Sequence, residues 1–304
     1  MMLPSLARML LGALLLPVSL GAFATPFLNP PSAQSAQQKG FLERRDDPTL
    51  SSAAFVIANP RTGEILSERN GNRVMPIASI TKLMTALVVL DANQRMNEMI
   101  TVSKADIDRI KGTGSRLAIG SRLSRAEMLH ISLMASENRA ASSLARYYPG
   151  GQRAFIAAMN AKARMLGMWH TRFADSTGLN PRNVSTAHDL AKLVAAASAY
   201  PLIRQYTSAQ QHYVRTGKRQ LHYRNSNRLV HDANWQVLLS KTGYIREAGR
   251  CLVMEARINR EPMIMVLLNA DTSGARVADA QRVRSWLESG NRTTLARTTV
   301  FNKQ

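Results

Sequence analysis

Strand-forming patterns cluster at the two ends of this chain, and helical patterns fill the stretch between them. Residues 52–57 and 64–67 flank the turn Asn59-Pro60-Arg61-Thr62-Gly63 and read as a β-hairpin. Strand signals return at 235–239, 251–258 and 263–268, the last two joined by the turn 259–262. One early hairpin and three late strands imply a single antiparallel sheet built from both ends of the sequence. The middle then belongs to helices. Ser124 with Glu127 forms a capping box ahead of Met128, Leu129 and Leu133. An amphipathic stretch over 152–166 stops at Gly167, and Thr186 with Asp189 caps another ahead of Leu190, Leu193 and Val194. A closing helix is expected over 277–287. The fold class expected is α/β of the α+β kind: an antiparallel sheet flanked by helices, with an inserted helical lobe over about 93–200. No internal repeat is present.

The termini stand apart from this unit. Arg8 precedes a 12-residue apolar run, 9–20, and Ala22-Phe23-Ala24 follows. A positive start, a short apolar run and an A-x-A site describe a secretory signal over 1–24, cleaved after Ala24. The run is well short of the ~20 residues that span a bilayer, so a retained anchor is the weaker reading. Residues 25–50, rich in Pro, Ser, Gln and charge, read as a flexible leader, and 291–304 as a polar tail. The folded domain is expected over 51–290, in an exported chain.

Composition restricts the partners. The 304 residues are 45% hydrophobic, enough for one sizeable core. Loss of Arg8 with the signal lowers the net charge from +20 to +19. No run of five basic residues occurs and only 6% of residues are aromatic, so anionic envelope polymers and carboxylate substrates fit better than nucleic acid. The single cysteine, Cys251, lies in a strand pattern and cannot form an internal disulfide. It reads as a buried structural thiol.

Three short motifs carry chemistry. Ser79 and Lys82 lie three residues apart at a helix start, which makes them neighbours on one face. Ser136-Glu137-Asn138 interrupts the helix that begins after Ser124, and Lys241-Thr242-Gly243 ends the apolar run 237–240. Arg61-Thr62-Gly63 and Arg215-Thr216-Gly217 imitate the third motif, but one lies in the hairpin turn and the other in a polar stretch, 213–220. Only Lys241 follows one apolar strand and precedes a second. The order S-x-x-K, S-x-N, K-T-G resembles the serine acyl-transfer set of penicillin-binding proteins and related β-lactamases.

The residue types suit that chemistry. Ser79 becomes a nucleophile when a base takes its proton, and Lys82 is the candidate base. Lys82 serves only if its pKa falls well below ~10.4, through burial beside a second cation, for which Lys241 is the candidate. Ser136 is placed to relay a proton to the leaving amine, and Asn138 to orient Lys82 and a substrate amide. Lys241 and Thr242 suit a substrate carboxylate, with the backbone after Gly243 aligning an acyl chain. Backbone N–H groups of Ser79 and Tyr244 are expected to form the oxyanion hole. No G-x-S-x-G elbow exists, and the histidines at 130, 170, 188, 212, 222 and 231 show no metal spacing. No cofactor is expected.

The likeness extends to RVMPIASITKLM (73–84), MASENRAA (134–141), NAKARMLGM (160–168) and TRFADSTGL (171–179). These resemble the low-molecular-mass D-alanyl-D-alanine peptidases, most closely the periplasmic D-alanyl-D-alanine endopeptidases of Gram-negative bacteria. The resemblance implies a β-lactamase/transpeptidase-like fold, cleavage of D-alanyl cross-links between peptidoglycan stem peptides, and inhibition by β-lactams. It leaves a D-alanyl-D-alanine carboxypeptidase as the alternative, and a non-catalytic peptidoglycan-binding protein as one of another class. Class A β-lactamases activate the deacylating water with a glutamate. Between Glu137 and Glu247 there is none, and Asp175, Asp189 and Asp232 lie in no matching loop motif, so fast antibiotic hydrolysis is not expected. Many carboxypeptidase relatives carry a C-terminal β domain and an amphipathic anchoring helix. The short tail after residue 287 favours the endopeptidase branch and a mature chain with no transmembrane anchor.

Overall fold

A computed structural model describes residues 47–289. The expected signal, most of the expected leader and the expected polar tail lie outside the described residues. Residues 47–50, expected within the leader, are already part of the fold: Leu50 is buried, and the Ser51 amide donates to Asp279.

The chain runs through β1 (Ala54–Ala58), β2 (Ile65–Arg69), β3 (Met75–Pro76), α1 (Thr81–Asp91), β4 (Met99–Thr101), β5 (Arg122–Ser124), α2 (Arg125–Met134), α3 (Asn138–Arg146) and α4 (Gly151–Met165). It continues through β6 (Val184–Ser185), α5 (Ala187–Ser198), α6 (Pro201–Ser208), β7 (Gln211–Thr216) and β8 (Arg219–Arg224). It closes with β9 (Gln236–Ile245), β10 (Gly249–Ile258), β11 (Glu261–Ala270) and α7 (Ser273–Glu288).

The two ends do meet in one sheet. Its order is β2-β1-β11-β10-β9, antiparallel throughout, with Val56 opposite Val266 and Val266 opposite Val253. Side chains alternate faces along a strand. Phe55, Ile57, Met265 and Leu267 therefore join Val283 and Leu287 of α7 in one core, while Val56, Val253 and Val266 face the other helices. Burial on both faces explains why β10 and β11 read as unbroken apolar runs. Turn Asn259-Arg260 has φ of 49° and 66°, the left-handed pair that a two-residue hairpin requires. Glu261 and Pro262, expected in that turn, belong to β11.

Helices α2, α3 and α4 fill the expected lobe, and the Ser124 and Thr186 caps form as expected. Helix α5, at the end of that stretch, packs on the sheet itself against β1, β10 and β11. The stretch expected to be merely polar, 213–220, is part of the β7–β8 hairpin. Only Val214 and Tyr223 of that hairpin are buried, so its alternation was masked by charged and polar faces. No helix among the described residues is long and apolar enough to cross a membrane.

Candidate active site

Ser79 sits on the 3-10 turn Ala78–Ile80 that feeds into α1, one turn earlier than a position within the helix proper. Ala78 holds a left-handed φ of 47°, and Thr81 Oγ1 donates to its carbonyl at 2.8 Å. The expected i, i+3 contact forms: Lys82 Nζ lies 2.9 Å from Ser79 Oγ. Lys82 is fully buried and also donates to Asn138 Oδ1 at 2.8 Å and to the Thr177 carbonyl at 2.6 Å.

Burial lowers the Lys82 pKa to about 8, against the opposing pull of Asp175, Glu137 and Asp108. Here one expectation is corrected. Burial, and not Lys241, is the leading cause at Lys82, and Lys241 hydrogen-bonds elsewhere, its Nζ donating to Ser136 Oγ at 3.0 Å and to the Thr242 carbonyl at 2.9 Å. Lys241 is itself held well below its ordinary value, by burial first and then by Lys82 and Arg276. The hydrogen-bond partners of buried Lys241 are both neutral oxygens, so its charged form calls for a counter-anion.

Ser136 occupies the break between α2 and α3 with a left-handed φ of 63°. A non-glycine residue held there signals a constraint imposed by its surroundings. Glu137 caps α3, accepts from Ser115 Oγ at 2.7 Å, and thereby anchors the break. Asn138 opens α3; its Oδ1 meets Lys82 while its Nδ2 donates to Thr113 Oγ1 at 3.0 Å.

The third motif lies within β9, the sheet's edge strand, and not at the strand's end. Thr242 Oγ1 donates to Ser226 Oγ at 2.7 Å. A Cβ on Gly243 would stand 2.9 Å from the Ile77 carbonyl and 3.2 Å from the Ser79 amide nitrogen. Glycine thus lets β9 lie directly against the turn that carries Ser79. Tyr244 follows, its ring half exposed beneath the Arg250 guanidinium. A cleft of about 420 Å³ joins Ser79, Ser136 and Asn138 to Thr242, Gly243 and Tyr244. All eight residues singled out in the sequence therefore gather at one place, Lys82 and Lys241 buried beneath the cleft.

Sequence reasoning quoted 171–179 for the likeness but gave it no place in the site, where Thr177 meets Lys82 and Gly178 meets Ala78. Gly178 has φ 85°, and a Cβ there would come within 2.0 Å of the Ala78 carbonyl oxygen. Asp175 shapes this turn by accepting from the Gly178 amide at 2.9 Å and from Asn183 Nδ2 at 2.6 Å. The signal was available as Asp175-Ser-Thr-Gly178, an Asp turn ending on glycine. Also missed were Arg228, Arg250 and Arg276, which line the cleft. Of the two imitations of the third motif, Arg61-Thr62-Gly63 falls in the β1–β2 turn, while Arg215 and Thr216 end β7 and Gly217 opens the turn after it. Cys251 is buried, and burial pushes its thiol up to about 11, as suits a structural residue. Among the described residues no cluster of three or more His, Cys, Asp or Glu could hold a metal ion.

A serine hydrogen-bonded to a buried lysine of lowered pKa, beside a second serine and an edge strand, has the geometry of a serine acyl-transfer site. Residues 42–272 match the model of the peptidase family S11, D-alanyl-D-alanine carboxypeptidase, and the chain belongs to that family. It is 46% identical over 248 residues to a D-alanyl-D-alanine endopeptidase of Pseudomonas aeruginosa, covering 81% of this chain and 80% of that one. It is 42% identical over 275 residues to a D-alanyl-D-alanine endopeptidase of Escherichia coli, covering 90% and 89%. The crystal structure of the Streptomyces K15 DD-transpeptidase aligns with a TM-score of 0.75 at 26% identity, over 79% of this chain and 98% of that one.

Proposed function

We propose that this chain is a periplasmic serine DD-endopeptidase that hydrolyses D-alanyl cross-links between peptidoglycan stem peptides and is acylated by β-lactams. The observation that carries the chemistry is Lys82: buried, triply hydrogen-bonded, beside Ser79 Oγ, and with a pKa near 8. The branch rests on the endopeptidases of 46% and 42% identity that match over most of both chains.

In this reading neutral Lys82 takes the Ser79 proton as Oγ attacks the carbonyl carbon of the D-alanyl residue. The oxyanion is met by the backbone N–H groups of Ser79 and Tyr244. Asn138 orients both Lys82 and the substrate amide. Collapse of the intermediate breaks the C–N bond, and the proton held by Lys82 passes through Ser136 Oγ to the leaving amine. Lys241 and Thr242 hold the carboxylate beside that nitrogen, which supplies the counter-anion Lys241 lacks. Water then attacks the ester, frees the D-alanyl carboxylate and returns the proton to Ser79.

A cleaved secretory signal over 1–24 supports the periplasmic reading; N-terminal sequencing of the exported protein should begin at Thr25. Purified protein lacking residues 1–24 should convert cross-linked dimeric muropeptides to monomers faster than it trims free pentapeptides, as read by mass spectrometry. Fluorescent penicillin should label it, and Ser79→Ala should take no label. Release of D-alanine from monomers with dimers intact would make the enzyme a carboxypeptidase. Label on Ser79→Ala would remove Ser79 from the mechanism.

A further inference from the structure

The cleft over Ser79 is lined by three arginines and by no carboxylate. Arg228 begins the 3-10 turn ahead of β9, Arg250 lies opposite Tyr244 on β10, and Arg276 lies in the first turns of α7. None of the three makes an ion pair among the described residues. The Arg250 guanidinium lies 3.6 Å from the Tyr244 ring centroid, and its Nε is buried without a hydrogen-bond partner. Arg276 is almost fully buried and donates to the Cys251 carbonyl at 3.1 Å, which sets it beside the register partner of Cys251, Gly243. Burial lowers the Arg276 pKa, and repulsion from Arg250 and Arg228 lowers it further.

Like charges held together in a cleft, with no acid to balance them, focus the field on an incoming anion. One substrate carboxylate is accounted for by Lys241 and Thr242, with Arg276 adjacent to Gly243. It leaves Arg228 and Arg250 unbalanced. A planar guanidinium pairs with a carboxylate through two parallel N–H bonds, so a second carboxylate is the ligand these side chains suit.

We propose that Arg228 and Arg250 form a second carboxylate subsite that binds an acidic side chain of the leaving peptide strand. The proposal rests on the endopeptidase reading, because a lone D-alanine leaves with only one carboxylate whereas a cross-linked strand carries others. The subsite therefore favours the strand over the single residue, and selectivity arises as a difference between two leaving groups.

The test uses soluble peptides that share one acyl donor ending in D-alanine and differ in the leaving residue, D-glutamate or D-glutamine. These two match in size and differ by one charge. Wild-type kcat/KM should be about tenfold higher for D-glutamate, the effect of one charge-assisted hydrogen bond. Arg228→Gln and Arg250→Gln should each bring the ratio towards one. Because the ratio compares two substrates on one sample, partial misfolding lowers both rates and leaves it unchanged. A wild-type ratio near one, or a ratio that survives both substitutions, overturns the subsite. Cleavage of muropeptide dimers by wild type is scored separately. Dimers cut with a ratio of one keep the endopeptidase reading and lose the subsite; dimers spared with a high ratio do the reverse.

Discussion

Lys82 donates a 2.6 Å hydrogen bond to the carbonyl of Thr177, 95 positions further along the chain. With Ser79 Oγ and Asn138 Oδ1 this completes the three acceptors that an ammonium can use. Loss of one proton keeps two N–H bonds on Asn138 and Thr177 and turns the lone pair towards the Ser79 hydroxyl. The amine is thus aimed before substrate arrives, and deprotonation requires no movement of the lysine.

The rate of acylation should follow the neutral fraction of Lys82. With a pKa of about 8, the group is mostly charged at pH 6 and mostly neutral at pH 9. Penicillin acylation, measured as a second-order rate constant, should rise roughly tenfold per pH unit below that value and level off above it. Lys82→Arg keeps a charge that cannot be given up in this range, so acylation should collapse by several orders of magnitude while the melting transition persists. A pH-independent rate between 6 and 9, or rapid acylation of Lys82→Arg, would assign the lysine a structural role only.

Asp175 raises the Lys82 pKa through its charge. Asp175→Asn retains a side-chain oxygen for the Gly178 amide and removes the negative charge. The Lys82 proton should then be lost more easily, and the midpoint of the acylation profile should move to lower pH. An unmoved midpoint in a folded variant would show that the two groups do not sense each other.

Gly178→Ala combines a left-handed φ of 85° with a Cβ 2.0 Å from the Ala78 oxygen. Strain and displacement together should cost more than about 2 kcal/mol and lower Tm by several degrees. Acylation should fall more than stability accounts for, because the displaced backbone carries Ser79. Gly217→Ala, in the open β7–β8 turn at φ 58° with nothing within 4 Å, is the control and should cost about 1 kcal/mol with little change in acylation rate.

The sheet was legible because the strands of both chain ends carry apolar runs, and the Ser79–Lys82 contact because helical spacing fixes it locally. The break at Ser136 was legible as a motif, though its left-handed backbone was not. The β7–β8 hairpin escaped notice since its inner face offers only Val214 and Tyr223 to burial. The roles of Thr177 and Arg276 depend on contacts made far along the chain, which no local pattern encodes. Of the two causes expected for the lowered Lys82 pKa, burial is the leading one, whereas the second lysine of the motif set feels the repulsion more than it exerts it.

The carbonyl behind Lys82 comes from the far side of the lobe, and the strand beside Ser79 comes from the end of the chain. A half-assembled molecule therefore holds a hydrated lysine that keeps its proton and a serine no more reactive than any other. Reactivity arises only when both are in place. Uptake of a covalent label thus counts finished molecules in a mixed population, and the enzyme acquires its cutting power only once its own construction is complete.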